Sequence, residues 1–89
     1  MSIIRRHYVF TGRVQGVGFR YNAKYAADTL GVTGWVRNEW DGTVTMEAQG
    51  LEESIDRLLL KIQSQRWIRI DHISKINMPP IEESGFRVR

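Results

Sequence analysis

"TGWVRNEWDGTVTMEAQG", residues 33–50, decides the fold of this 89-residue chain. Two short runs of β-forming residues flank an Asp41-Gly42 pair, a strong local signal for a hairpin. The spacing predicts a strand over Thr33–Asn38, a turn through Glu39–Gly42 and a second strand over Thr43–Gln49. In that second strand Val44, Met46 and Ala48 fall on one face, and Thr43, Thr45 and Glu47 on the other.

A helical pattern lies on either side of the hairpin. Upstream, Phe19, Ala23, Ala26, Ala27 and Leu30 recur on one face of a helix expected over Arg20–Leu30, and Gly31 supplies a left-handed stop. Downstream, Leu51, Ile55, Leu58, Leu59 and Ile62 form the stripe of a second helix starting after Gly50, with Glu52 and Glu53 suiting its positive end. A first strand is expected from Ile3 to Gly12 around "HYVFT", and a fourth from Ile68 to Ile76. "MPP" at 78–80 breaks the chain, and "GFRVR" offers a short terminal strand through Phe86 and Val88.

The order is β-α-β-β-α-β, an α+β ferredoxin-like sandwich with an antiparallel sheet, both helices on one face and a short extra C-terminal strand. Residues 1–89 are read as one domain. In this topology the first two strands run the same way with the third between them. Their C-terminal ends then lie along one edge, about 10 Å apart. Arg20 and Asn38, eighteen positions apart in sequence, become neighbours across that gap.

Composition narrows the chemistry. Apolar residues make up 42% and charged residues 26%, the profile of a soluble globular chain. No apolar run approaches the roughly 20 residues of a membrane span, and arginines interrupt the N-terminal stretch where a secretion signal needs apolar residues. A mature, cytoplasmic protein is expected. The absence of cysteine excludes disulfides, thiolate metal sites and cysteine nucleophiles. Thirteen Lys and Arg against ten Asp and Glu leave a net +3, which favours an anionic partner without choosing it.

The loop "GRVQGVGFR", residues 12–20, is where charge and backbone freedom concentrate. Glycines at 12, 16 and 18 permit positive φ, so consecutive N–H groups can turn inward as an anion-binding nest at a helix N-terminus. Arg20 sits in that first turn, where a cation is mildly unfavourable by itself, and its planar fork matches two phosphate oxygens. The loop lacks the Lys-Ser/Thr ending of a Walker loop and the third glycine of a dinucleotide fingerprint. By residue type alone, a phosphate cradle and a plain connection both stand.

Two signatures, V-Q-G-V-G-F-R at 14–20 and G-W-V-R-N at 34–38 followed by G-T-V at 42–44, resemble the acylphosphatase family. The likeness extends over nearly the whole chain, including "GFRVR". The resemblance implies hydrolysis of a carboxyl-phosphate mixed anhydride to carboxylate and inorganic phosphate, with no cofactor, metal or phosphoenzyme. It implies that Arg20 binds phosphate, that Asn38 positions the attacking water, and that the backbone of Gln15, Gly16, Val17, Gly18 and Phe19 forms the cradle. The chain departs from the family pattern in "EWD" at 39–41, bulkier and more acidic than the Thr/Ser-rich version of many members. A small-molecule acyl phosphate is the expected partner, for a monomer without nucleic acid or membrane.

Two rivals share this fold. An RNA-recognition-type module can stack bases on strand aromatics such as Tyr8 and Phe10, although "GFRYNAKY" does not follow the RNP1 pattern. An acylphosphatase-like adaptor domain without catalysis is the other, as in hydrogenase-maturation carbamoyltransferases. His7 and His72 are read as partly exposed strand residues, Trp35 and Trp67 as packing residues, and Trp40 as a surface aromatic beside Asn38.

Overall fold

The computed structural model describes residues 2–89. Its elements run β1 (Ile3–Arg13), α1 (Phe19–Leu30), β2 (Thr33–Asn38), β3 (Val44–Leu51), α2 (Glu52–Gln63), β4 (Arg69–Met78) and β5 (Phe86–Val88). The five strands form one sheet in the order β4-β1-β3-β2-β5, antiparallel except for the β2–β5 pair. This is the ferredoxin-like arrangement, with β1 and β2 parallel to each other on either side of β3. The ends of β1 and β2 therefore share one edge.

Element boundaries move where tertiary partners extend or cut them. β3 begins at Val44 because Thr43 belongs to the turn, where its N–H and hydroxyl both donate to Asp41 Oδ1 at 3.0 and 2.7 Å. It continues to Leu51 because Ile3 and Ile4 stand opposite Leu51 and Gly50. β4 runs on to Met78, which pairs with Arg5.

The helix-covered face holds the core. Tyr8 and Phe10 from β1, Val36 from β2 and Val44, Met46 and Ala48 from β3 are fully buried, as are Ala23 and Ala27 of α1 and Ile55, Leu58 and Ile62 of α2. Tyr8 stacks on Phe10 at 5.7 Å, and Phe10 tilts against Phe19 at 4.9 Å. Burial pushes the Tyr8 phenol above its usual range, against the lowering effect of the hydrogen bond from Arg6. Arg6 reaches from β1 to Glu52 and Asp56 and so pins the first turns of α2 to the sheet.

Two strand glycines have steric causes. Gly12 (φ 128) lies at the register shift between Thr11 and Gly12 in the β1–β4 pairing, and a Cβ there would meet Arg69 O at 2.3 Å. Its positive φ serves a bulge in β1 rather than the loop itself. Gly34 (φ 142) lets β2 lie so close to β3 that a Cβ would stand 1.8 Å from Glu47 O.

The second face of the sheet is not bare. Arg5, from β1, is only 2% exposed there, beneath residues 81–83 of the segment joining β4 to β5. Its Nε and Nη2 donate to Glu47 Oε1 at 3.1 and 2.9 Å, and its Nη1 donates to Gln49 Oε1 at 3.1 Å and Glu83 Oε1 at 2.8 Å. Burial pushes the Glu47 carboxyl up, but its hydrogen bonds with His7 and Arg5 outweigh that effect and hold it below the usual carboxylate range. His7 Nδ1 lies 2.7 Å from Glu47 Oε2, and its ring meets Trp35 edge-on at 6.3 Å.

Candidate active site

β1 delivers the chain to the shared edge, and buried Val14 anchors the start of the loop in the core. Gly16 (φ 72) and Gly18 (φ 81) then reverse the backbone in the left-handed region. Nothing crowds a Cβ at Gly16, so glycine is required there by conformation, not space. Between them Val17 is half-buried and packs against the core.

Gly18 is the N-cap of α1, without a side-chain capping bond, and the first turn carries no acidic residue. The leading N–H groups of the helix are therefore unneutralised by a local carboxylate. Asn22 ties the turn together, donating from its backbone N–H and its side chain to Gly18 O at 3.0 and 2.8 Å.

Gly16, Gly18, Phe19, Arg20 and Tyr21 line a pocket of about 200 Å³ together with Val14 and Asn38. Asn38 is the last residue of β2, so the strand order alone carries it to the edge where the loop begins. Gln15 and Val17 do not line the pocket. The Gln15 side chain instead donates from Nε2 to Glu39 O at 2.7 Å and to Thr43 O at 2.9 Å. One amide group thus stitches the glycine loop to the β2–β3 turn directly after Asn38. Larger surface depressions, of about 570 and 770 Å³, lie along Ile68–Ile73 and beside residues 81–84. They are shallower and bring together no glycine-loop backbone, unlike the smaller, more enclosed pocket.

Arg20 Nη1 donates to the main-chain oxygen of Arg89 at 3.0 Å, which leaves the rest of its fork for another acceptor. Arg89 is itself held, its N–H donating to Val36 O at 2.8 Å and its guanidinium lying 4.7 Å from the centre of the Trp35 ring. This contact joins positions 69 apart in sequence and had no local signal.

The acidic residues beside the pocket are engaged elsewhere. A hydrogen bond from Arg37 (Nε to Oε2, 2.8 Å) holds the Glu39 carboxyl below its usual range, and the Thr43 hydroxyl does the same for Asp41. Trp40 is 96% exposed at the tip of the turn. His7 lies beside Glu47 on the face away from the helices and His72 along β4, and neither histidine lines the pocket. No three His, Asp or Glu side chains converge to hold a metal ion among the described residues.

The fold and the glycine-loop pocket define a ferredoxin-like domain with a pocket at one edge of its sheet, and the comparisons with known proteins specify which. The acylphosphatase family model matches residues 6–88. The chain is 44% identical over 85 residues to the acylphosphatase of Bifidobacterium longum, covering 94% of this chain and 88% of that protein. It superposes on the crystal structure of acylphosphatase from Bacillus subtilis with a TM-score of 0.88 and 30% identity, over 97% and 98% of the two chains. A full-length HypF structure, in a phosphate- and nucleotide-bound form, matches with a TM-score of 0.89 and 27% identity, over 99% of this chain but 12% of that one. The chain belongs to the acylphosphatase family. It is a hydrolase whose substrate is a small acyl phosphate and whose product is inorganic phosphate.

Proposed function

We propose that hydrolysis proceeds by direct in-line attack of water on phosphorus, with Asn38 orienting the water and Arg20 and the 15–19 backbone holding the phosphoryl oxygens. The observation that carries this reading is the convergence of Gly16, Gly18, Arg20 and Asn38 on one pocket. Water oxygen bonds to phosphorus as the phosphorus–acyl oxygen bond breaks, and the electron pair leaves on the carboxylate. The conjugate acid of that leaving group has a pKa of roughly 4, so departure needs no general acid. Charge remains on the phosphoryl oxygens, where a guanidinium and fixed backbone donors stabilise it best. The proton of the attacking water passes to a phosphoryl oxygen of the substrate, in keeping with the absence of a histidine from the pocket lining. The Asn38 amide contributes orientation, by accepting from and donating to the water ahead of the reaction.

The test is benzoyl phosphate hydrolysis in EDTA. Arg20→Gln and Asn38→Ala are each expected to lower kcat/KM by about 10³, or ~4 kcal/mol of transition-state stabilisation, with the circular dichroism of the folded protein retained. Reaction in ¹⁸O-water places the label in phosphate under this mechanism. Label in benzoate, or full activity in both variants, overturns it.

The similarity to part of HypF keeps a non-catalytic adaptor in view, and an inactive wild type that still binds phosphate selects it. The RNA-binding alternative is disfavoured because Tyr8 and Phe10 are fully buried beneath the helices and offer no stacking surface. We further propose a cytoplasmic monomer acting without nucleic acid or membrane; among the described residues no helix is long and apolar enough to cross a membrane.

A further inference from the structure

We propose that Arg5 and Glu83, on the face of the sheet away from the helices, are positioning residues for Arg20. The proposal rests on the reading of Arg20 as the phosphate-binding group and assigns that group its support.

The chain between β4 and β5 is fastened at two points. Ile81 exchanges a pair of hydrogen bonds with the Gln49 side chain, N–H to Oε1 at 2.9 Å and Nε2 to its carbonyl at 2.7 Å. Two residues on, Glu83 forms an ion pair with Arg5 at 2.8 Å, where Arg5 is already bonded to Glu47 and Gln49. From this clamp the backbone passes through Gly85, whose carbonyl accepts from Gly34 N–H at 3.1 Å, into three-residue β5. β5 runs parallel to β2, with Phe86, Arg87 and Val88 opposite Gly34, Trp35 and Val36. Lys24 of α1 donates to Phe86 O at 3.0 Å. The strand ends by presenting the Arg89 carbonyl to Arg20 Nη1.

A three-residue edge strand holds its register weakly by itself. A slip of β5 against β2 moves the Arg89 carbonyl along the sheet edge by about 3.3 Å per residue, beyond hydrogen-bonding reach of Arg20. The clamp removes that freedom. A buried ionic cluster is weak evidence for stability, since a well-packed apolar set is often as good, and register is its best-attested use. Arg5 withdrawn from solvent between Glu47, Gln49 and Glu83 fits that use. The guanidinium of Arg20 is long and flexible, and a fixed acceptor on one nitrogen reduces the rotamer freedom lost when phosphate binds.

The experiment compares Glu83→Ala with Glu52→Ala, which removes an ion pair of Arg6 on the opposite face. Benzoyl phosphate kinetics and the affinity for inorganic phosphate by calorimetry are the readouts. Glu83→Ala is expected to raise KM and weaken phosphate binding together by about fivefold, with kcat within twofold of wild type. Glu83→Gln, which keeps an acceptor for Arg5, is expected to restore most of the affinity. Glu52→Ala is expected to change thermal stability alone. In a chain lacking Arg89, adding Glu83→Ala is expected to weaken phosphate binding no further, because both changes act through one link. Unchanged phosphate affinity in Glu83→Ala, equal effects of Glu52→Ala, or fully additive losses in the double variant overturn the proposal. Failure of the underlying reading is distinct: there the wild type is inactive or Arg20→Gln remains active, whatever Glu83 does.

Discussion

The two faces of the sheet are built by opposite means. The helix-covered face is a continuous apolar cluster with Arg6 at its margin, and its apolar residues can be exchanged for others of similar volume at modest cost. The other face buries a guanidinium among two carboxylates, an amide and a histidine, where each member depends on specific partners. The apolar face supplies cohesion, and the charged face supplies alignment. Substitutions on the first are therefore expected to act on stability, and on the second also on the pocket at the sheet edge.

The largest effect in this comparison is expected from Phe10→Ala. It leaves a void between Tyr8 and Phe19 and costs about 3–5 kcal/mol, read from the urea midpoint, a large share of the stability of a domain this size. A loss below about 1 kcal/mol breaks the contrast, since the apolar face then contributes no more than the charged one. Next comes Glu47→Gln, which sharpens it. The Glu47 carboxyl titrates below its unfolded value, so ionised Glu47 stabilises the fold above about pH 4.3, and that stabilisation disappears as pH falls through the lower folded value. The gap in thermal stability between wild type and Glu47→Gln is expected to be open at pH 7 and to close on acidification. A gap that widens toward low pH has the wrong sign. The smallest effect is expected at Trp40, which touches neither face. Trp40→Ala is expected to shift stability by less than about 0.5 kcal/mol and to leave the ratio of benzoyl to acetyl phosphate hydrolysis rates unchanged. A changed ratio places the indole against the acyl group.

The same contrast explains what the sequence could disclose. Apolar periodicity is local, so the stripes of α1 and α2 and the alternation of β3 are legible, and with them the order of elements and the strand arrangement. That arrangement in turn suffices to place Arg20 and Asn38 at one edge. The remainder depends on partners far away along the chain. Gln49 falls on the polar face of β3 with Thr43, Thr45 and Glu47, yet it is buried, because Ile81 of the segment after β4 returns to bond its side chain. Arg5 looks like an ordinary surface charge until Glu83, 78 positions away, arrives beside it. Gln15 reads as a member of the cradle through its backbone, whereas its side chain is committed to the β2–β3 turn. Gly34 had a possible local clue, a glycine inside a β-branched run, which marks close approach of a neighbouring backbone.

The hydrogen bond from Arg20 to the carbonyl of Arg89 has a practical corollary for anyone handling this molecule. A purification handle or fusion partner joined at residue 89 is attached within hydrogen-bonding distance of Arg20, one of the residues that line the pocket. The beginning of β1 lies at the opposite edge, about 30 Å away along an eleven-residue strand, and is the safer place to attach one.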